Sequence, residues 1–411
     1  MSRKFNKPEL LAPAGDMECL EAVVRFGADA VYIGGAEFGM RTASKNFDDE
    51  SLRKAVEHSH KNGVKVYLAC NTVPRNDEIE RLPRFIEYAA QCGVDAFIVT
   101  DIGVLEIIKK YAPHCDVHIS TQAGITNYSA ANAFFQLGAS RVVTARELSI
   151  DEIAEIREKT PNEMEIECFI HGAMCVSFSG RCLLSNYLTG RDANRGDCAQ
   201  PCRWKYRIVE EKRPNEYFPI GEDNDGTYIF NAKDMCMINH IPQLVNAGIS
   251  SFKIEGRAKS AYYVSVVTNA YRCAIDSYFE NLSEDFEIEP WIVDEMFKIS
   301  HRDYCTGFYF GNPKESANVF DEGCYRRYWD VCAVTLESDG EFVTAQQRNK
   351  FFDGDELEVL EPMTKPYTIM VEGLCSMHEE QLDSVPHPKM IFKFKCNKKI
   401  PPNSILRKKR K

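Results

Sequence analysis

Short apolar runs alternate with amphipathic stretches from residue 9 to about residue 280. The runs are rich in Val, Ile, Leu and Phe, which is typical of strands buried on both faces. We predict eight strands: Leu10–Ala12, Ala30–Ile33, Val64–Ala69, Ala96–Thr100, Val117–Ser120, Arg141–Thr144, Glu165–Ile170 and Ser251–Ile254. Helices are predicted between them, and the one that follows Ser149 opens with a capping box. Eight β-α units predict an α/β fold, a (β/α)8 TIM-like barrel, although a doubly wound sheet also fits this pattern.

A long insertion separates the seventh and eighth predicted strands. It covers residues 171–236 and follows the C-terminal end of the seventh strand. Barrel enzymes build their active sites from loops at that end of the strands, so we expect this cysteine-rich segment to lie over the barrel mouth. Within it, Tyr228–Asn231 is a ninth strand candidate, which we expect outside the barrel or beside its final strand.

The pattern changes after the eighth unit. Tyr262–Tyr278 predicts a long helix that closes the barrel. From about Tyr325 the chain has five short β runs separated by turns: VCAVTLE, EFVTAQQ, DELEVLE, YTIMVEG and KMIFKFK. This spacing is typical of a small antiparallel β-barrel. We therefore predict a barrel domain over residues 1–310 and a small all-β domain over 325–411. The terminal RKKRK is predicted to be a solvated, disordered tail.

Clustered cysteines are the strongest chemical feature of the insertion. The chain has 16 cysteines, and Cys168 lies in an apolar run where a thiol is expected to be core. Four others follow with the spacing C-x6-C-x15-C-x3-C: Cys175, Cys182, Cys198 and Cys202. Structural zinc sites usually show C-x2-C pairs, which this stretch lacks. Uneven spacing on a glycine-rich loop favours an iron–sulfur cluster, with zinc and ordinary cysteines as the alternatives.

Composition and net charge indicate the compartment and the partners to expect for the protein. The 411 residues carry a net charge of -11, so any RNA contact must use a local basic patch. The N-terminus has basic residues but no apolar signal region, and no apolar run reaches the length of about 20 residues that spans a bilayer. We therefore expect a cytoplasmic protein without a membrane partner, in which thiols stay reduced.

Polar residues follow most of the predicted strands and are expected to converge at the barrel mouth. Glu255 and Arg257 end a dense charged run after the last strand, and His171 follows the seventh. We predict these three as catalytic residues. Four further residues are predicted to bind substrate: Asn71, Gln122, Arg146 and Lys253. Trp204 or Tyr206 is a candidate for stacking on a base.

Several motifs resemble one known family. The pattern E-x-F-x-x-G-A-M-C-x-x-x-x-G-x-C-x-L-S runs from Glu167 to Ser185, and LLAPAGD, ADAVYIGG, STQAGITN, RELS and FKIEGRAKS occur elsewhere. Together they resemble the collagenase-like peptidase family, peptidase family U32, over about residues 8–310. The resemblance implies the barrel fold and a cysteine-bound 4Fe-4S cluster. It also implies hydroxylation of RNA bases or quinone precursors by some members.

The part of the insertion that carries Cys175 to Cys202, called the cysteine loop below, is most similar to members that make 5-hydroxyuridine at the wobble position of tRNA. That similarity implies the tRNA anticodon loop as partner and prephenate as co-substrate that donates oxygen. It also implies a paralogue partner or a homo-oligomer. We predict Cys175, Cys182 and Cys198 as cluster ligands. The family draws its fourth ligand from a distant position, so we choose Cys236 over Cys202.

Three other functions are consistent with the residues. His171 and Cys175 could form the thiol–imidazole pair of a peptidase, although the chain lacks HExxH and G-x-S-x-G. A hydroxylase of ribosomal RNA is a second alternative. A non-catalytic scaffold that binds RNA or a partner enzyme is the third. We rank tRNA hydroxylation first because oxidation at C5 of a pyrimidine needs redox chemistry, which side chains do not readily supply.

Overall fold

Eight parallel strands close into a barrel. The computed structural model describes residues 6–40, 46–175, 181–204, 221–223, 226–228, 233–283, 286–311 and 325–410. The barrel strands are β1 Glu9–Pro13, β2 Ala30–Gly34, β3 Lys65–Cys70, β4 Ala96–Val99, β5 Asp116–Ile119, β6 Arg141–Val143, β7 Glu165–Ala173 and, after the insertion, β11 Ser251–Ile254. β11 pairs in parallel with both β1 and β7, which closes the sheet. The predicted (β/α)8 barrel is confirmed, and the doubly wound alternative is wrong.

Eleven α-helices are present among the described residues, and the longer ones bury one face against the barrel. They are α1 Met17–Arg25, α2 Asp49–Lys61, α3 Asn76–Ile79, α4 Leu82–Cys92, α5 Ile102–Tyr111, α6 Tyr128–Gln136, α7 Ile150–Glu158, α8 Leu184–Thr189, α9 Ile241–Asn246, α10 Ala261–Glu280 and α11 Pro290–Glu295. The predicted capping box of α7 is present between Ser149 and Glu152. α10 packs on α1 and β1, as the predicted closing helix should. In the described parts of the chain, no helix is long and apolar enough to cross a membrane.

The insertion adds short strands beside β7. β7 runs three residues past the predicted end at Ile170, and β10 (Asp234–Cys236) pairs antiparallel with that extension. β12 (Tyr304–Cys305) continues the sheet beyond β10. β8 (Gly221–Asp223) and β9 (Gly226–Tyr228) form a separate hairpin. The ninth strand candidate thus begins at the end of β9, and its residues 229–231 lie outside the described residues.

The C-terminal region is a curled antiparallel sheet with more strands than predicted. Its members are β13 Trp329–Ser338, β14 Phe342–Gln347, β15 Glu356–Leu360, β16 Tyr367–Met370, β17 Glu372–Ser376, β18 Ile391–Lys395 and β19 Ile405–Lys409. The run predicted as one strand, YTIMVEG, is divided between β16 and β17 around the buried Val371. The all-β prediction is confirmed, while the count of five strands is wrong.

The basic terminal segment is the largest correction to the predicted fold. β19 lies inside the sheet between β15 and β13 and is not a disordered tail. Arg407 on this strand is fully buried, and its guanidinium pairs with Glu295 of α11 at 2.6 Å and with Glu358 of β15. Lys408 pairs with Asp355 at 2.6 Å. Three of the charges that suggested solvation, on Arg407, Lys408 and Arg410, are paired with carboxylates, and the Arg407 cluster joins the sheet to the barrel.

Candidate functional site

A cavity of about 180 Å³ opens at the C-terminal ends of the barrel strands. Its floor and walls come from the barrel, and its cover comes from the cysteine-rich insertion. Nine of the eleven predicted site residues line it: Asn71, Gln122, Arg146, Cys175, Cys182, Cys198, Lys253, Glu255 and Arg257. Their convergence follows from the parallel barrel, which brings all strand ends to one face. Their roles remain predictions, but their common location is now shown.

Neutral hydrogen-bonding groups occupy one wall of the cavity. The Asn71 side-chain oxygen accepts a hydrogen bond from the Met40 backbone N–H at 3.1 Å, which fixes the orientation of the amide. The Thr100 hydroxyl donates to the Asn71 backbone carbonyl at 3.1 Å, and its oxygen lies 3.4 Å from the Gln122 side-chain oxygen. Two oriented amides therefore face a small cavity, an arrangement suited to reading the edge of a planar polar ligand.

Buried charges form a chain below the cavity. Lys253 donates to Glu167 at 2.6 Å, and Arg141 contacts the other oxygen of the same carboxylate at 3.0 Å. The Lys253 ammonium also lies 4.7 Å from the Tyr32 ring centre and 5.4 Å from that of Phe169. Because Glu167 is completely buried, the two cations around it offset the cost of its desolvation. This network holds Lys253 at a fixed place on the cavity wall.

The remaining charged residues of the cavity contact backbone carbonyls or a tyrosine hydroxyl. Arg146 donates to the Ala173 carbonyl at 3.1 Å and packs over Phe169. Arg257 donates to the Met40 carbonyl and lies so close to Gly34 that a side chain at that glycine would collide with it. A carboxylate oxygen of Glu255 lies 3.5 Å from the Tyr32 hydroxyl. The cavity therefore presents three cations and one carboxylate in constrained positions.

His118 should make folding stability dependent on pH. It lies inside the barrel against Tyr67, and burial, with the charges of Arg141 and Lys253, holds its pKa well below the usual range. The unfolded chain then binds a proton near pH 6.5 that the folded chain does not, so stability falls as the pH drops below that value. We expect His118→Phe to reduce this dependence by up to about 1.4 kcal/mol per pH unit between pH 6.5 and 5.

The measurement is the free energy of unfolding in urea at several pH values. His114→Phe is the matched control, since His114 is exposed and its replacement leaves the barrel interior unchanged. Equal slopes of stability against pH for the wild type and His118→Phe would contradict the prediction.

The cysteine loop is anchored to the barrel by its own side chains. Arg181 reaches across the mouth and donates to the backbone carbonyls of Gln122 at 2.9 Å and Ala123 at 3.2 Å. Asn194 bonds both the N–H and the carbonyl of Cys182, at 3.1 and 3.0 Å. These contacts hold the loop against the mouth and keep Cys182 on its inner surface.

Four thiols of the loop share the cavity: Cys175, Cys182, Cys198 and Cys202. The Leu184 N–H points at the Cys182 sulfur from 3.4 Å, and the Gln200 N–H points at the Cys198 sulfur from 3.3 Å. Such hydrogen bonds stabilise thiolates and tune iron–sulfur clusters. As placed, no three potential ligands among the described residues are close enough to hold one metal ion. The chemistry of the donor set, four thiols with backbone N–H groups directed at two of them, is of the kind that iron–sulfur clusters use.

Two predicted site residues, His171 and Cys236, do not line this cavity. His171 packs among Tyr263, Tyr271 and Tyr304, and burial lowers its pKa to about 3. The physical reason is a register shift: Lys253 pairs with Phe169 but the next residue, Ile254, pairs with His171. The skipped residue reverses the alternation of sides, so His171 turns away from the cavity that Phe169 lines.

Cys236 lies opposite His171 on β10. The Tyr271 hydroxyl donates to its sulfur at 3.9 Å, and burial raises the pKa of this thiol to about 11. Cys202, in contrast, lines the cavity with the other three thiols. The geometry thus favours Cys202 over the predicted Cys236 as the fourth member of the set. Tyr206, the second stacking candidate, lies outside the described residues.

Sequence reasoning missed several residues of the site. Tyr32 and Phe169 line the cavity, Glu167 positions Lys253, and Arg181 ties the loop to the barrel. Tyr32 and Phe169 lie inside apolar strand runs, where nothing distinguishes a cavity-lining ring from core. The position of Glu167 could have been used to predict a buried ion pair, because a carboxylate in an otherwise apolar strand needs a buried cation.

Residues 15–318 match the sequence profile of peptidase family U32, and residues 327–407 match that of the peptidase family U32 C-terminal domain. The chain is 40% identical to tRNA hydroxylation protein P1 of Bacillus subtilis over 98% of this chain and 95% of that one. It is 34% identical to tRNA hydroxylation protein P of Escherichia coli, over 87% of this chain and 86% of that one. A 23S rRNA 5-hydroxycytidine synthase of Escherichia coli is 36% identical over 78% of this chain and 48% of its own length.

Proposed function

We propose that this chain, which belongs to peptidase family U32, hydroxylates C5 of the wobble uridine in tRNA. Relatives that match most of its length are named as tRNA hydroxylation proteins. The observation that carries the proposal is the position of four thiols over a cavity walled by fixed amides and cations. A redox group held there would face a planar polar ligand bound below it.

The barrel residues act by binding and orienting the base. A wobble base must leave its stack to enter the cavity, as unpaired loop bases can. Asn71 and Gln122 would hydrogen-bond the carbonyl and N–H groups of the uracil edge, since amides carry both donors and acceptors. Tyr32 and Phe169 supply flat apolar walls for its faces. The Arg181 contacts hold the loop down and limit the access of water.

Cys175, Cys182 and Cys198, with Cys202 or Cys236, would hold a 4Fe-4S cluster. Hydroxylation replaces the C5–H bond by a C5–OH bond, so the ring loses two electrons and a proton, and the oxygen donor must take up those two electrons as it gives up its oxygen. Electron transfer is the chemistry that such a cluster would supply when bound. We keep prephenate as the proposed oxygen donor. Its two carboxylates suit the cations Arg146, Lys253 and Arg257, all of which line the cavity.

Glu255 is the group on the cavity wall best suited to accept the proton that leaves the ring. Its backbone is held in place, because the Glu255 N–H donates to the His171 carbonyl at 2.8 Å. His171 itself faces the tyrosine cluster behind β7, so we withdraw its predicted catalytic role. The thiol–imidazole pair of a cysteine peptidase loses its support for the same reason, since Cys175 lines the cavity and His171 does not.

Nucleoside analysis tests the proposal. We would delete the gene and compare digested tRNA by mass spectrometry, after complementation with wild type, with Cys182→Ala or with Cys375→Ala. Cys375 lies in the C-terminal sheet, so its replacement is the control for thiol loss in general. We expect 5-hydroxyuridine and its derivatives to fall on deletion and to return with wild type and Cys375→Ala, but not with Cys182→Ala.

A redundant enzyme can hide the effect, so the deletion is repeated in a strain that lacks any paralogue. Wobble nucleosides that stay unchanged in that strain would exclude tRNA as the substrate. Loss of 5-hydroxycytidine from ribosomal RNA in the same samples would identify the alternative hydroxylase instead.

A further inference from the structure

The cysteine loop carries an exposed apolar and aromatic patch on its outer side. Tyr187 is 88% exposed, Leu183 is 74% exposed and Trp204 is 43% exposed. Leu183 and Tyr187 are four residues apart, at the start and in the middle of the α8 turn, so they share one side of it. An aromatic ring left this open on a structured loop contributes little to the stability of the fold, which indicates a role in binding.

This patch, defined by Leu183, Tyr187 and Trp204, borders the cavity directly. Leu184, the neighbour of Leu183, lines the cavity from the inner side of α8. The turn Pro201–Arg203, which Trp204 follows, packs against α8, and its Pro201 also lines the cavity. A ligand that lies on the patch is therefore at the opening of the cavity, within reach of a group bound inside it.

The net charge of residues 181–204, which contain the patch, differs in sign from that of the whole chain. Residues 181–204 contain four arginines and two aspartates, a net charge of +2, whereas the whole chain carries -11. The arginines are Arg181, Arg191, Arg195 and Arg203. Rings that stack on bases, surrounded by cations that attract phosphates, are the usual composition of sites for single-stranded nucleic acid.

We propose that this patch is a stacking platform for the unpaired nucleotides that flank the target base of an RNA loop. The inference rests on the proposed function, because a base drawn into the cavity leaves its neighbours at the opening. Tyr187 stacks on one neighbour and Trp204 on another, while the net positive charge of residues 181–204 attracts the phosphates between them. The platform selects a loop over a duplex, because only unpaired bases offer their faces.

Fluorescence anisotropy tests the platform with labelled RNA at one fixed salt concentration. The probes are a stem–loop with uridine at the first anticodon position and a fully paired duplex of the same composition. We expect Tyr187→Ala to weaken stem–loop binding at least about fivefold, since stacking on one base contributes about 1 kcal/mol or more. Tyr187→Phe retains the ring and should bind like the wild type. Duplex binding should be unchanged in both variants.

Two controls show whether a loss of binding comes from the missing ring. The iron content of Tyr187→Ala should equal that of the wild type, which shows that the loop is intact. Tyr328→Ala removes an exposed ring from a position in the C-terminal region and should not affect binding.

Three results would overturn proposals, each in a different way. If the wild type binds the stem–loop and Tyr187→Ala binds it equally well, the platform is wrong and the proposed function stands. If the wild type does not bind the stem–loop at all, the proposed function itself is in question. If Tyr187→Ala turns a dimer into a monomer without changing RNA affinity, a second copy occupies the patch.

Discussion

Replacement of Cys182 by serine is expected to remove the iron from the protein and with it the hydroxylated nucleoside. Cys182 is on the inner side of the loop, is held by Asn194 and accepts the Leu184 N–H at its sulfur. A hydroxyl has nearly the same size but is a poor ligand for iron, so the fold should persist while cluster binding fails. Iron and sulfide should fall from about four of each per chain to near zero.

The same assay separates the two candidates for the fourth ligand. Cys202→Ser and Cys236→Ser are compared with Cys375→Ser under identical anaerobic purification. We expect iron to be lost in one of the first two variants and retained in the other and in the control. Loss of iron in Cys202→Ser would agree with the position of Cys202 in the cavity lining. Loss of iron in Cys236→Ser would show that the cysteine loop moves toward β10 when the cluster binds. Full iron in both variants would contradict a four-thiol site.

Arg407→Ala is expected to have the largest effect on stability. The guanidinium is fully buried between Glu295, which is also fully buried, and Glu358. Removing one partner of such a cluster leaves carboxylates without a full counter-charge, at a cost of about 3–5 kcal/mol. Lys298 still contacts Glu295 at 3.0 Å, so the lower end of that range is the better expectation.

Tryptophan fluorescence during urea unfolding would report this loss, because Trp329 lies 5.6 Å from the Arg407 guanidinium. The matched control is Arg410→Ala, a nearby arginine whose half-exposed ion pair with Asp330 should contribute only about 0–1 kcal/mol. Similar losses in the two variants would show that burial of the Arg407 cluster has no special importance.

Much of the barrel was predictable because its physical causes are local. All eight strands were located from apolar runs, and the Ser149 cap fixed the start of α7. Parallel closure then forces the strand ends together, so Lys253 and Asn71 were expected at one mouth although they are far apart in sequence. The residue types, the spacing of apolar residues and the parallel topology were sufficient to predict these features.

The errors arose where a non-local contact decides the outcome. The side of β7 that His171 takes depends on a one-residue shift against β11, which has no signature in either strand. From the sequence alone, β19 resembles a solvated basic tail. Glu295, the buried partner of Arg407, is more than 100 positions away in the sequence. Tertiary ion pairs can thus convert a basic segment into the interior of a sheet.

Closure of the barrel also affects how the chain must be made. Glu9 pairs with Ser251, 242 positions later, and its carboxylate accepts hydrogen bonds from the side chains of both Ser251 and Arg141. During translation, β1 therefore has an unpaired edge until β11 has left the ribosome. Unpaired strand edges pair with other chains and cause aggregation. Expression fragments that end between β7 and β11 should accumulate in inclusion bodies, whereas a useful domain boundary must lie beyond α10.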